Sequence, residues 1–249
     1  MTLITIASQK GGVGKTTLAF HLAMLGQEKG LRVLVVDLDS QGNATLALTQ
    51  GNHSLLMNRD GSNLLFTDPD NLRPIETPSG VHLLHGHQFL DLADHEVQVS
   101  DTPAMADRVR ALPYDLLLFD TPPAVGLRQL APMYWADRVV VPLEPNQFAV
   151  SGLALTLNTI TRVQADNRRL SYSMVINKLQ NSSRQRSFAE AIALRAPVLS
   201  PHLTLRVSVE AAVDQSRPVW RHSGAPKPVR AAWLAICEAL LSPTEAVHG

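Results

Sequence analysis

The sequence predicts an α/β fold in which a doubly wound, mostly parallel sheet carries helices on both faces. Apolar strand-like runs alternate with stretches whose apolar residues recur at helical spacing, and this alternation is typical of a parallel sheet covered by helices. A glycine-rich segment joins the first strand to the first helix, and acidic residues end two later strands. Ligands of such sheets bind at the carboxyl ends of the strands.

The first elements follow from local pattern. Residues 3–7 are β-prone, and residues 16–29 carry apolar side chains at helical spacing, which predicts a strand and then a helix. Gly30 ends that helix, because glycine readily adopts the left-handed conformation found at helix termini. The apolar run 31–36 is predicted as a buried strand.

The remaining elements continue the alternation. Apolar runs predict strands near residues 81–84, 115–120, 138–141 and 171–177. Helical spacing predicts helices near 105–112 and 151–163. The pattern fits one domain over residues 1–249, without a helix-turn-helix module ahead of the first strand.

The loop between the first strand and helix is predicted to hold phosphate. Its glycines let backbone N–H groups converge on a phosphate at a helix N-terminus. Lys15 would reach the β- and γ-phosphates, and the Thr16 hydroxyl would bind Mg²⁺. The nucleotide-binding residues are therefore predicted to be Gly11, Gly12, Val13, Gly14, Lys15, Thr16 and Thr17.

This loop departs from the usual P-loop pattern, because Gln9 stands where glycine is expected and a second lysine, Lys10, follows it. The run Lys-Gly-Gly-Val-Gly-Lys-Thr-Thr resembles the deviant P-loop of the ParA/MinD ATPases, and most closely that of the small partition ATPases. The resemblance extends over essentially the whole chain and implies a P-loop NTPase fold. It also implies that Lys10 acts across a dimer interface on the partner's ATP.

Two carboxylates, Asp37 and Asp39, follow the strand at 31–36. Their segment resembles the ParA sequence Asp-x-Asp-Pro-Gln-Gly-Asn, with Ser40 where proline is common. The resemblance implies that Asp39 orients or activates the attacking water and that Asp37 helps to hold the Mg²⁺ shell. A structural role for Asp37, such as helix capping, is the alternative.

The apolar run 115–120 ends in Asp120, which a Thr-Pro-Pro turn follows. A buried strand that ends in a carboxylate places negative charge near Mg²⁺, so Asp120 is similar to a Walker B aspartate. Lys10, Lys15 and Asp39 are the predicted catalytic residues. Thr16, Asp37 and Asp120 are the predicted metal ligands.

Charge is uneven along a chain whose formal net charge is zero. Acidic residues exceed basic ones up to residue 150, and basic residues exceed acidic ones beyond it. This excess suits contact with DNA phosphates, although solvated helix faces would explain it equally. Partition ATPases of the resembled family bind nonspecific DNA through C-terminal arginines, and the candidates here are Arg184, Arg186, Arg206, Arg217 and Arg221.

Two further sites have weaker signals. Asn177 ends a predicted strand at the ligand edge, and Pro218 follows a loop that passes the base in relatives, so both are predicted adenine contacts. His82, His85 and His87 form a cluster that raises the hypothesis of a zinc site. Strand alternation opposes it by placing His82 and His85 on opposite faces.

Composition favours a cytoplasmic protein, and the resemblance to partition ATPases implies that it associates with the nucleoid. No apolar run is long enough to span a membrane, and Cys237 is the only cysteine, which excludes internal disulfides and cysteine-held iron–sulfur clusters. A MinD-like membrane ATPase would need a basic amphipathic C-terminal helix, and the tail has few charges.

The resemblance implies a nucleotide-driven switch. ATP and Mg²⁺ would join two subunits, the homodimer would bind nonspecific double-stranded DNA, and a ParB-like or cargo-adaptor protein would stimulate slow hydrolysis to ADP and phosphate. Cycling would position a plasmid, a chromosome origin or a protein cargo. A MinD-like positioning ATPase and a noncatalytic ATP-bound scaffold are the alternatives, the latter because Ser40 departs from the family pattern.

Overall fold

The computed structural model describes residues 1–56, 61–86 and 90–243. Seven strands of these residues form one sheet in the order β3-β4-β2-β5-β1-β6-β7. β3 runs antiparallel to β4 and the other neighbouring pairs are parallel, which confirms the predicted sheet. The strands are β1 (Thr2–Ile6), β2 (Val33–Asp37), β3 (Ile75–Glu76), β4 (His82–Leu84), β5 (Leu116–Asp120), β6 (Arg138–Leu143) and β7 (Ser171–Ile176).

Helices cover both faces of the sheet, as predicted. In β5, Leu116 and Leu118 pack in one cluster, and Leu117 and Phe119 pack in another on the opposite face, because successive side chains of a strand alternate. The helices are α1 (Lys15–Glu28), α2 (Asn43–Thr49), α3 (Leu64–Thr67), α4 (Leu90–Glu96), α5 (Ala106–Arg110), α6 (Leu127–Trp135), α7 (Gln147–Asp166), α8 (Ser183–Ala193), α9 (Val207–Asp214) and α10 (Lys227–Leu241).

Two predicted boundaries move for identifiable reasons. Asp37 is the last residue of β2 rather than the first of a loop, since it pairs in register with Asp120 of β5. Helix α7 begins at Gln147, four residues earlier than predicted, because the Asn146 side chain accepts a hydrogen bond from Ala149 N at 3.0 Å and caps the helix.

His21 lies in the core between α1 and the C-terminal part of the chain, with no exposed surface. Its ring stacks 4.5 Å from the ring of Trp233 in α10 and 5.5 Å from that of Trp220. Burial lowers the pKa of His21 to about 4. The imidazole is therefore neutral in the folded protein at neutral pH.

A neutral buried histidine makes stability pH-dependent. The unfolded chain gains a proton at His21 below about pH 6.5, and the folded chain does not until about pH 4, so acid favours unfolding. Between pH 7 and 5, the free energy of unfolding should fall by about 2 kcal/mol more in the wild type than in His21→Gln. Urea titrations at both pH values test this, and equal falls in the two proteins would contradict a neutral His21.

Candidate functional site

The P-loop joins β1 to α1 at the carboxyl edge of the sheet. Gly12 and Gly14 have φ values of +73° and +94°, the left-handed region that favours glycine. A Cβ on Gly14 would also collide with the side-chain amide of Asn177. Helix α1 begins at Lys15 with no side-chain cap, so its first N–H groups are available to an anion.

A cavity of about 730 Å³ lies over this helix N-terminus. That volume is within the usual range for small-molecule sites. The P-loop forms its floor, the segment after β2 and helix α2 form one wall, and the end of α9 forms another. Lining residues include Gly11, Gly12, Gly14, Lys15, Thr16, Thr17, Asp39, Gln41, Asn43, Pro123, Lys178, Val213, Asp214 and Ser216.

The structure brings the predicted metal ligands together. Thr16 Oγ1 donates to Asp120 Oδ2 at 2.6 Å, and Asp120 pairs in register with Asp37 on the neighbouring strand. Asp120 Oδ1 is buried and accepts no hydrogen bond from the described residues. A hydroxyl and carboxylates with a free buried oxygen form the hard-oxygen donor set that suits Mg²⁺.

The electrostatics of these residues also favour a cation. Burial and the charge of Asp37 raise the pKa of Asp120, and burial raises the pKa of Asp37. Burial lowers the pKa of Lys15, whereas the charges of Asp120 and Asp39 oppose that shift. Negative charge on these two carboxylates is therefore costly in the buried site, and a divalent cation would offset that cost.

Asp37 supports the segment that follows it. Its Oδ2 accepts hydrogen bonds from Thr45 N at 2.8 Å and Thr45 Oγ1 at 2.7 Å, and its Oδ1 accepts one from Asp39 N at 3.2 Å. These contacts tie β2 to helix α2. They show the structural role that the sequence left as an alternative, and direct metal binding by Asp37 stays a prediction.

Asp39 is half-buried and lines the cavity. Its Oδ1 accepts a hydrogen bond from Gln41 N at 3.0 Å, which fixes the turn that carries it. A carboxylate in this place can orient a water beside a phosphate bound to the P-loop.

Sequence reasoning missed Gly86, which packs behind this segment. Its N–H donates to Thr45 Oγ1 at 2.8 Å. A Cβ at Gly86 would lie 2.5 Å from the Asp39 carbonyl oxygen and 3.1 Å from Asp37 Cγ. The sequence signal that could have identified Gly86 is its position. It comes just after the predicted strand at 81–84, at the ligand-binding edge of the sheet, and lies between His85 and His87.

The histidines near Gly86 have other partners. His82 Nδ1 lies 2.8 Å from the Tyr114 hydroxyl, and His85 Nδ1 lies 3.0 Å from the Gly86 carbonyl oxygen. The described residues contain no group of three His, Cys, Asp or Glu side chains placed to hold a metal ion. His87 lies outside those residues, so the zinc hypothesis gains no support from the geometry.

Lys10 stands at the exposed edge of the cavity. Its Nζ forms an ion pair with Glu144 Oε2 of the same subunit at 3.1 Å, and both side chains are partly exposed. Pairs of this kind contribute about 0–1 kcal/mol, so the lysine can leave Glu144 at small cost. Its predicted action on a partner's nucleotide stays a prediction.

The predicted adenine contacts, Asn177 and Pro218, stay predictions. Asn177 is buried, and its Nδ2 donates to the Val13 carbonyl at 2.9 Å, so the amide supports the P-loop backbone. Pro218 is buried, and neither residue lines the main cavity. Lys178 and Asp214, which sequence reasoning missed, do line it.

The five candidate DNA arginines are exposed but lie on different elements. Arg184 and Arg186 are in α8, and Arg217 follows α9. Arg206 lines a small cleft with Asn177 and Lys178, so a substitution there would also disturb the nucleotide side of the molecule. Arg221 forms an ion pair with Glu28 of α1 at 3.1 Å.

Comparison with known proteins agrees with this geometry. A family model described as an AAA domain matches residues 1–172. The chromosome-partitioning ATPase Soj of Thermus thermophilus is 38% identical over 167 residues, which are 65% of this chain and 62% of Soj. The chain thus matches less than two thirds of that relative. The chromosome partitioning protein ParA of Caulobacter vibrioides is 34% identical over 206 residues, 78% of this chain and 74% of ParA.

A solved structure with a bound nucleotide analogue shares the fold. It is the cobyrinic acid a,c-diamide synthase of Mycobacterium smegmatis with a bound ATP analogue and magnesium, with a TM-score of 0.78 and 25% identity. The match covers 97% of this chain and 94% of that one.

Proposed function

Since the chain belongs to the AAA-domain family and, within it, to the ParA/MinD group of P-loop ATPases, we propose that it is a partition ATPase that binds ATP with Mg²⁺ and hydrolyses it slowly. The observation that carries the proposal is the Thr16–Asp120 hydrogen bond beneath the uncapped N-terminus of α1. It places the buried carboxylate of Asp120 directly behind Thr16, which lines the cavity at the anion-binding N-terminus of α1. We expect the function to belong to one domain that extends over residues 1–249.

The residues divide the chemistry between them. Bound Mg²⁺ would supply positive charge that offsets the phosphates. Thr16 and Asp120 would hold it, and Lys15 would contact the β- and γ-phosphate oxygens. Asp39 would orient the attacking water from the opposite wall, at the position that its bond to Gln41 fixes.

The dimeric state is the second part of the proposal. Gly11 and Gly12 are exposed at the cavity edge, and a Cβ on either would meet nothing within 4 Å, so a second subunit can approach the phosphates closely. Lys10 would leave its ion pair with Glu144 and contact the phosphates of the ATP bound to the partner subunit. Positive charge supplied in trans is worth about 10³–10⁵ in rate in other NTPases.

DNA binding is the third part. Helix α8 places Arg184 and Arg186 in solvent on the carboxyl side of β7, the same sheet edge as the nucleotide cavity. Arg168 and Arg169 are equally exposed but precede β7, at the opposite edge. A double reversal of each pair to glutamate changes the charge equally, so the second pair is a matched control.

The test is binding to nonspecific double-stranded DNA across a salt series, with ATP, with ADP and without nucleotide. The wild type should bind only with ATP, and the Arg184→Glu/Arg186→Glu protein should lose about 2 from the slope of log affinity against log salt. The Arg168→Glu/Arg169→Glu protein should keep the wild-type slope. Equal losses in both variants, or equal binding with ADP, would contradict a nucleotide-controlled DNA surface on α8.

The same proposal includes a ParB-like or cargo-adaptor protein that stimulates hydrolysis, and action on the nucleoid in the cytoplasm. It is supported by the chromosome-partitioning names of the relatives. The MinD-like alternative finds little support, because α10 buries Trp233, Ile236 and Leu240 in the core. In the part of the chain described, no helix has both the length and the apolar character to cross a bilayer.

A further inference from the structure

His21 connects two parts of the chain that are 198 residues apart. Its Nδ1 lies 2.7 Å from the Thr17 carbonyl oxygen, in the first turn of α1. Its Nε2 accepts a hydrogen bond from Val219 N at 3.0 Å. Because a carbonyl oxygen can only accept, Nδ1 carries the proton and Nε2 the lone pair. A neutral imidazole therefore satisfies both bonds at once, in agreement with its lowered pKa.

Val219 holds the end of a segment that lines the nucleotide cavity. Val213, Asp214 and Ser216 lie in the wall of that cavity, only a few residues before Val219. Ser216 has a φ of +48°, a conformation that side-chain-bearing residues rarely adopt. Tertiary contacts must therefore hold this turn in place.

The middle of the segment is fixed to the wall that helix α2 forms. Ser216 Oγ donates to the Ala47 carbonyl oxygen of α2 at 2.6 Å. The segment 213–219 is therefore bonded to two helices. Ser216 bonds to α2, and Val219 bonds to His21 of α1. These two bonds fasten the 213–219 wall of the cavity to α2 on one side and to α1 on the other.

We propose that His21 is a positioning residue for nucleotide binding. By holding Val219, it sets the distance between the wall 213–219 and the P-loop, and the nucleoside part of ATP or ADP occupies that space. The inference rests on the proposed nucleotide site. Phosphate binding depends on the P-loop itself, so His21 should affect nucleoside recognition and leave phosphate recognition unchanged.

Two substitutions separate the two bonds of His21. In His21→Asn the short amide can still donate to the Thr17 carbonyl but cannot reach Val219. In His21→Gln the longer amide can accept from Val219 N. Both remove the aromatic ring, and Asn is also the smaller side chain, so a role in packing alone would lower the free energy of unfolding without weakening ADP binding selectively over tripolyphosphate binding.

The experiment is calorimetric titration of each protein with ADP and with inorganic tripolyphosphate, both in the presence of Mg²⁺. His21→Asn should weaken ADP binding at least tenfold, His21→Gln should stay within about threefold of the wild type, and tripolyphosphate binding should be unchanged in both. Equal weakening of ADP in the two variants, or equal weakening of both ligands in His21→Asn, would overturn the inference. A wild type that binds neither ligand would instead overturn the proposed function.

A variant outside the core covers the case in which His21→Asn does not fold. Ser216→Ala removes the bond to Ala47 and leaves the His21 site intact. It should weaken ADP binding severalfold and leave tripolyphosphate binding unchanged. Unchanged ADP binding in Ser216→Ala would overturn the claim that the segment is held for the nucleoside.

Discussion

Replacing Asp39 with alanine should lower the turnover of ATP at least 100-fold and leave ATP affinity within about threefold of the wild type. Asp39 lines the cavity but does not bond to Thr16 or Asp120, so the variant keeps the cation-binding pair and the P-loop. A positioned group that orients or activates the nucleophile typically contributes about 10²–10⁴ in rate. Phosphate release under single-turnover conditions and calorimetric titration with ATP measure the two quantities.

Asp214→Ala is the matched control, because Asp214 is also a carboxylate in the cavity wall but lies at the end of α9. It should keep the turnover number at saturating ATP. If Asp39→Ala turned over ATP within tenfold of the wild-type rate, Asp39 would not be the residue that orients or activates the attacking water. A wild type that binds ATP without any turnover would favour the scaffold alternative.

The second large effect is expected from a single methyl group at Gly86. In Gly86→Ala the new Cβ would lie 2.5 Å from the Asp39 carbonyl oxygen, and the clashing atom belongs to the backbone, so the segment that carries Asp39 must shift. Turnover should fall at least tenfold, and the free energy of unfolding should fall by about 1–3 kcal/mol, the usual cost of overpacking. Steady-state phosphate release and urea unfolding test both.

Gly152→Ala serves as its control. Gly152 lies in α7, and a Cβ there would meet nothing within 4 Å. Alanine favours helix over glycine by up to about 1 kcal/mol, so this variant should be as stable as the wild type or more so, with normal turnover. Normal turnover in Gly86→Ala as well would show that the position of Asp39 tolerates displacement.

The sequence predicted the parallel strands of the sheet but not the short antiparallel strand β3, and it placed the candidate cation-binding residues at one edge of the sheet. The P-loop, Asp37, Asp39 and Asp120 could be placed together because each lies at or just beyond the carboxyl end of a strand, and parallel strands bring their carboxyl ends to one edge. The glycine pattern of the P-loop also indicates the positive φ values of Gly12 and Gly14. These features depend on short-range chemistry and on one rule of topology.

Contacts between distant segments could not be predicted in this way. The approach of Gly86 to Asp39 and the bond from His21 to Val219 depend on tertiary packing that no local pattern encodes. The five candidate DNA-binding arginines also show that sequence alone does not predict tertiary placement. They share a charge and a region of sequence, yet the fold turns Arg206 towards the nucleotide side and pairs Arg221 with Glu28.

The central claim is that ATP joins two subunits, and the most direct test is the molar mass of Asp39→Ala by light scattering with ATP, with ADP and without nucleotide. Slow hydrolysis in this variant preserves the ATP state during the measurement. We expect twice the mass of the single chain with ATP and Mg²⁺ only, and a return to the single-chain mass when Lys10→Ala is added. The same mass in all three nucleotide conditions would show that ATP does not join the subunits.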